Sequence, residues 1–176
     1  MDTREPVYSA HVLELLTVAN EFCLFLEKVE NYPQEDVLDY LRKILPMLYI
    51  KGSLLPDVQP DEPQPERYVT EQQWETVFND IREKLGSLDE FHFIDHNEPA
   101  DPEPWKGSVA DHLADIYQDL KDFILLFQKN TFTAQQNAVS DCRILFQTHW
   151  GERLTRAHTV IHQLCFRNES DQTEDF

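Results

Sequence analysis

The chain has 176 residues, 41% of them hydrophobic and 11% aromatic, with 4 glycines and a formal net charge of -18. That apolar content can fill one core, which excludes global disorder and makes a single domain the expectation at this length. So few glycines disfavour an all-β fold. The 33 acidic against 15 basic residues would repel a phosphate backbone or an anionic bilayer, so nucleic acid and membrane are not expected partners, whereas a basic protein or a divalent cation is compatible.

From Ser9 to about Glu30, Val12, Leu15, Leu16, Ala19, Phe22, Cys23, Leu26 and Val29 recur at steps of three and four, which predicts a helix ended by Asn31–Pro33. Leu13, Leu24 and Phe25 give it a second apolar face. A second helix is expected from Gln34 to Ile50, with a kink or stop at Pro46. The stretch from Leu54 to Tyr68 carries Pro56, Pro60, Pro63 and Pro65 and reads as an extended, exposed linker. Thr70 and Gln73 have the spacing of a capping box, opening a helix through Trp74, Val77, Phe78, Ile81 and Leu85 to Gly86.

The long connection from Ser87 to Lys106 contains FHFID (Phe91 to Asp95), which alternates like a strand but has no evident partner. Ser108 is a plausible N-cap for a fourth helix, and Asp111 falls near the positive end of that helix. Helical spacing resumes from Ala134 to Phe166 and is read as one long helix, with Gly151 as its point of weakness. Residues 167–176 read as a disordered acidic tail beyond a single domain of residues 1–166. Cys23, Cys142 and Cys165 are odd in number, widely spaced and at apolar positions, so they suit buried thiols in a reducing cytoplasm rather than a disulfide framework. No secretory leader is evident in the first residues.

The fourth helix holds Asp111, Asp115, Asp119 and Asp122 on one side, within about 80° of arc, opposite an apolar face of Val109, Leu113, Ile116, Tyr117, Leu120 and Phe123. A solvated face explains such a row. Yet aspartate is a poor helix former, and like charges four apart repel, so the row carries a local cost. In HWGER, Arg153 projects into the apolar arc of the last helix and His149 onto its edge, and buried cationic groups need partners. Two arrangements follow: an Asp–His/Arg network between helices, or a divalent metal held by Asp111, Asp115 and His149. The candidate binding set is Asp111, Asp115, Asp119, His149 and Arg153, with Tyr117 from the same helix. His158 and His162 stand four apart on the outer face, without the glutamate of a metalloprotease motif. His92 and His96 flank Asp95 in a loop. There is no glycine-rich phosphate loop, nucleophile elbow or serine–histidine–aspartate signature.

The segments ILPMLY (Ile44 to Tyr49), VADHLADIYQDLK (Val109 to Lys121) and HWG (His149 to Gly151), with EFCLFLE in the first helix, resemble the bacterial family known as domain of unknown function 5063. The resemblance implies a compact helical protein and brings no activity with it. The family pattern carries a second acidic residue where this chain has His112, and tends to a histidine where it has Arg153. Both departures suit a charge-pair network better than a metal site. The expectation is an all-α protein, an irregular bundle of five or six helices, with no cofactor required. Its expected function is protein–protein interaction through acidic surfaces, with a divalent-metal-dependent hydrolase as the alternative. Catalytic residues are not assigned.

Overall fold

The computed structural model describes residues 6–60, 67–95 and 103–170, the side chains of 168–170 excepted. The architecture is a mostly helical bundle in the order α1 (Ala10–Leu26), α2 (Gln34–Ser53), α3 (Glu71–Leu85), β1 (Glu90–Phe93), β2 (Trp105–Ser108), α4 (Val109–Phe127), α5 (Phe132–Leu145) and α6 (Gly151–Ser170). Short 3-10 turns follow α1 and α3, and a π-helical turn, Phe146–Trp150, joins α5 to α6. Among the described residues no helix is long and apolar enough to cross a membrane.

The bundle is organised around α4, which packs against α1, α3, α5 and α6. Leu113, Ile116 and Leu120 are fully buried, and Tyr117 and Phe123 nearly so. Phe22 and Leu26 from α1, Leu41, Leu45 and Leu48 from α2, and Ile81 and Leu85 from α3 complete the interior. Each large side chain taken from water contributes about 1.5–3 kcal/mol. Helix starts follow local chemistry. Thr70 Oγ1 accepts the Gln73 amide at 3.2 Å while Gln73 Oε1 accepts the Thr70 amide at 2.9 Å, so the capping box is formed.

Three details depart from the one-dimensional reading. Helix α2 runs through Pro46 and on to Ser53. The linker is docked at its start, with Leu55 and Val58 buried, Asp57 3.4 Å from Arg143, and the Gln59 carbonyl accepting from Gln136 at 2.7 Å. FHFID does find a partner. Strand β1 pairs antiparallel with β2, Phe91 opposite Gly107 and Phe93 opposite Trp105. Glycine is required at 107 because a Cβ there would lie 2.6 Å from the Phe91 ring. Residues 61–66 and 171–176, which hold part of the linker and most of the expected tail, lie outside the described residues, and α6 itself continues to Ser170.

The helical path from Phe132 to Ser170 is unbroken but changes pitch in HWG. The Gly151 amide donates to the Phe146 carbonyl five residues back, the bond of a π-turn. A Cβ on Gly151 would stand 2.2 Å from that oxygen, so the turn requires glycine. The extra residue swings Trp150 fully into the core, where its Nε1 donates to the Cys142 carbonyl at 3.2 Å. On the other side, a Cβ at Gly52 of α2 would lie 2.4 Å from the Trp150 ring, so the indole occupies the space that glycine leaves.

Gly52→Ala and Gly151→Ala should each lower the stability measured by urea unfolding, by about 1–3 kcal/mol. Gly86→Ala serves as a comparison for backbone strain alone, since Gly86 has φ 55° with nothing within 4 Å of its missing Cβ. An unaltered midpoint for Gly151→Ala would contradict the π-turn argument.

Candidate functional site

The aspartate row of α4 meets α6 and the segment before α3 along a polar seam. Asp115 accepts from Trp74 Nε1 at 3.0 Å through one oxygen and from Arg153 Nε at 2.5 Å through the other. One turn on, Asp119 Oδ2 faces His149 Nδ1 at 2.5 Å, and its Oδ1 takes Arg67 Nη1 at 3.0 Å. His149 Nε2 lies 3.7 Å from Asp115 Oδ2, so the imidazole sits between two carboxylates and is hydrogen-bonded to Asp119. Asp122 accepts the Tyr68 and Val69 amides, both at 2.8 Å, and stands 3.3 Å from Arg67.

Helical geometry explains the assembly. Residues 115, 119 and 122 follow at steps of four and three and so line one stripe. The π-turn ending at Gly151 sets the rotation that presents His149 and Arg153 to that stripe while burying Trp150 between them in sequence. Asp119 and Asp122 are 2% and 5% exposed, which corrects the expectation of a solvated face. A buried carboxylate needs both charge and hydrogen-bond compensation, and each receives it.

Of the six candidate residues, the structure brings Asp115, Asp119, His149 and Arg153 together. Asp111 sits at the margin, about half exposed, with Oδ2 3.9 Å from His112 Nδ1. Burial and the neighbouring Asp115 charge raise its carboxyl pKa above the ordinary range. Tyr117 points elsewhere. Its hydroxyl donates to Glu27 Oε1 at 2.8 Å, beside Lys121 at 2.7 Å from the same oxygen. Burial, and then Glu27, push the phenol pKa upwards. His158 and His162 stay on the outer part of α6, His162 against Phe166. His92 is exposed on β1, and His96 lies outside the described residues.

Sequence reasoning missed Arg67, Trp74 as a hydrogen-bond donor, and Asp89. Arg67 is the lone basic residue in an acidic, proline-rich stretch, and that was its available signal. Asp89, 2% exposed, caps α4 from outside the helix. Its Oδ1 accepts the Ala110 amide and its Oδ2 the Ser108 hydroxyl, both at 2.7 Å, while Ser108 Oγ accepts the Asp111 amide at 3.1 Å. No local pattern announces such a cap.

Chemically, the seam is a set of closed pairs. The ring nitrogens of His149 face carboxylates rather than a hydroxyl or thiol, and both oxygens of Asp115 and of Asp119 have donors. Among the described residues no group of three histidine, cysteine, aspartate or glutamate side chains is placed to hold a metal ion.

Beside the seam, His112 is 7% exposed, with its ring edge-on to Phe91 at 5.5 Å. Neither ring nitrogen has a hydrogen-bond partner among the described residues. Burial, reinforced by the Arg153 and Arg156 charges, lowers its pKa to about 4.

The family model described as "Domain of unknown function (DUF5063)" matches residues 6–167. Among solved structures, the crystal structure of protein BF1032 from Bacteroides fragilis is similar, with a TM-score of 0.81 and 32% sequence identity, covering 92% of this chain and 96% of that one. No match was found among curated proteins.

Asp119→Ala should destabilise the fold by about 2–4 kcal/mol, since it leaves His149 and Arg67 facing a cavity. A double-mutant cycle with His149→Ala should return a coupling above about 1 kcal/mol, and additive effects would dissolve the pair. His112 binds a proton more readily unfolded than folded, so its contribution to stability falls as pH drops from about 6.5 towards 4. Relative to wild type, His112→Phe should therefore gain roughly 3 kcal/mol between pH 7 and pH 4 in urea titrations. A pH-independent difference would refute that.

Proposed function

The chain belongs to the DUF5063 family, and we propose that it is a non-catalytic binding protein that recognises a basic partner through its acidic surface. The observation that carries this reading is where the surplus charge lies. The carboxylates of the seam are paired with Arg67, Arg153 and the His149 ring. Most of the net charge of -18 therefore lies elsewhere, and one concentration of it flanks a groove.

That groove, about 450 Å³, lies between the end of α1, α3 and α4 and is lined by Glu27, Thr76, Asp80, Tyr117 and Lys121. Glu30 and Glu83 extend it past Asp80. Among the described residues Glu30, Asp80 and Glu83 make no ion pair. Burial and the charges of Glu30 and Glu83 raise the Asp80 pKa. Lys84, whose ammonium donates to the Glu30 carbonyl at 3.3 Å, is the one cation lining this extension among the described residues, against three carboxylates. The surplus favours approach of lysine or arginine side chains, and steers a basic partner over a Debye length of about 8 Å at physiological salt. The three thiols, none in a disulfide, suit a cytoplasmic setting.

Immobilised chain should retain a basic protein from an extract of its own cells at 50 mM salt and release it as salt rises. Asp80→Lys with Glu83→Lys should cut retention at least tenfold while the melting temperature stays close to wild type. Retention indifferent to both salt and charge reversal would refute this reading.

A further inference from the structure

The two-stranded sheet leaves one edge of β1 without a partner among the described residues. Its hydrogen-bonding direction can be read from the register. The Val109 amide donates to the Asp89 carbonyl at 2.9 Å, immediately before the pair Glu90–Ser108. Antiparallel pairs alternate between hydrogen-bonded and non-hydrogen-bonded. Phe91–Gly107 and Phe93–Trp105 are therefore the bonded pairs. The amides and carbonyls of Glu90 and His92 point away from β2.

The residues of this edge also line a groove among the described residues. Residues Phe91 to Asp95 form one wall of a groove of about 490 Å³, and α6 forms the other through Arg156, Thr159, Val160 and Gln163. The floor is apolar at Phe93, whose ring lies 4.5 Å from the Arg156 guanidinium carbon. Ile94 at the lip is 59% exposed. A strand added to β1 would run about 4.8 Å from it, on the side away from β2.

We propose that this groove binds an extended peptide segment of a partner protein by strand addition to β1. The row of outward amides and carbonyls selects a polypeptide backbone as the occupant, because only an extended chain repeats donors and acceptors at the same spacing. Alternate side chains of the peptide face Phe93 and Val160, so an apolar residue is expected at every second position, and the intervening ones meet solvent. The occupant is a linear segment rather than a folded surface, since only an extended backbone can continue the ladder at the β1 edge. This inference rests on the reading of the chain as a protein-binding module, and it places the peptide contact on a different face from the Asp80 groove.

The test uses a phage-displayed library of random 12-residue peptides selected on the full chain, followed by titration of synthetic peptides from the enriched clones. Enriched peptides should carry alternating apolar residues, and should shift and slow the exchange of the Glu90 and His92 amides in NMR spectra of the full chain. His92→Pro deletes an outward donor without removing a β1–β2 bond and should weaken binding at least tenfold. Thr159→Arg fills the groove from the exposed face of α6, leaves the strand untouched and should weaken binding similarly, which covers the case of a His92→Pro chain that misfolds. Asp80→Lys with Glu83→Lys should leave peptide affinity within about twofold. Failure of the basic-partner reading and failure of the strand-addition reading therefore give different results. No enrichment, peptides that shift amides outside residues 90–94, or full affinity in Thr159→Arg would each overturn the proposal.

Discussion

Asp119 is the residue on which the arrangement of this bundle turns. It is 2% exposed and reaches His149 with one oxygen and Arg67 with the other. A carboxylate buried that deeply is tolerable only if its charge is compensated at short range. Its partners come from two remote places in the chain: the turn before α6 and the segment before α3. One side chain in the middle of α4 therefore ties three parts of the fold into register. Asp115 repeats the device one turn earlier with Arg153 and Trp74, and Asp122 repeats it one turn later with two backbone amides.

The geometry that makes the seam possible is set by two glycines and a tryptophan. Gly151 permits the π-turn, the π-turn turns Trp150 inward and His149 towards α4, and Gly52 leaves room for the indole. Apolar packing and polar pairing are thus adjusted by the same local change of pitch. A regular α-helix through residues 146–150 would rotate the residues after it by roughly one position, and Arg153 would no longer face Asp115. The sequence HWG is better understood as this three-part fitting than as a set of ligands.

The closed state of the seam separates two kinds of acidic residue. Those on α4 that face inward are paired and hold the fold. Glu30, Asp80 and Glu83, along α3 and the turn after α1, make no ion pair among the described residues, and binding chemistry is more reasonably sought there. The β-hairpin stands apart from both. Its Phe91 ring lies against His112, and Phe91 to Asp95 share the lining of a groove with α6, so it joins the interior to a surface on which another chain could dock.

The all-helical class, most helix positions, the capping box at Thr70, the cap at Ser108 and the pairing of mid-chain aspartates with HWGER were legible in the residues. Each rests on short-range periodicity or on the demand that charge near a core be neutralised. The exposure of the aspartate row was misjudged, because one helix projection cannot tell that Arg67 arrives to cover Asp119 and Asp122. Asp89 as a cap, Gly107 beneath Phe91 and the partner of FHFID were invisible for a similar reason: each depends on a residue distant in sequence. By itself the sequence determined which segments are helical and which charges require partners, since both follow from local spacing and residue chemistry. Only the tertiary structure decided which aspartates are buried, which cation meets which carboxylate, and which strand edge and acidic groove remain open, because long-range packing sets those distances and no periodicity encodes them.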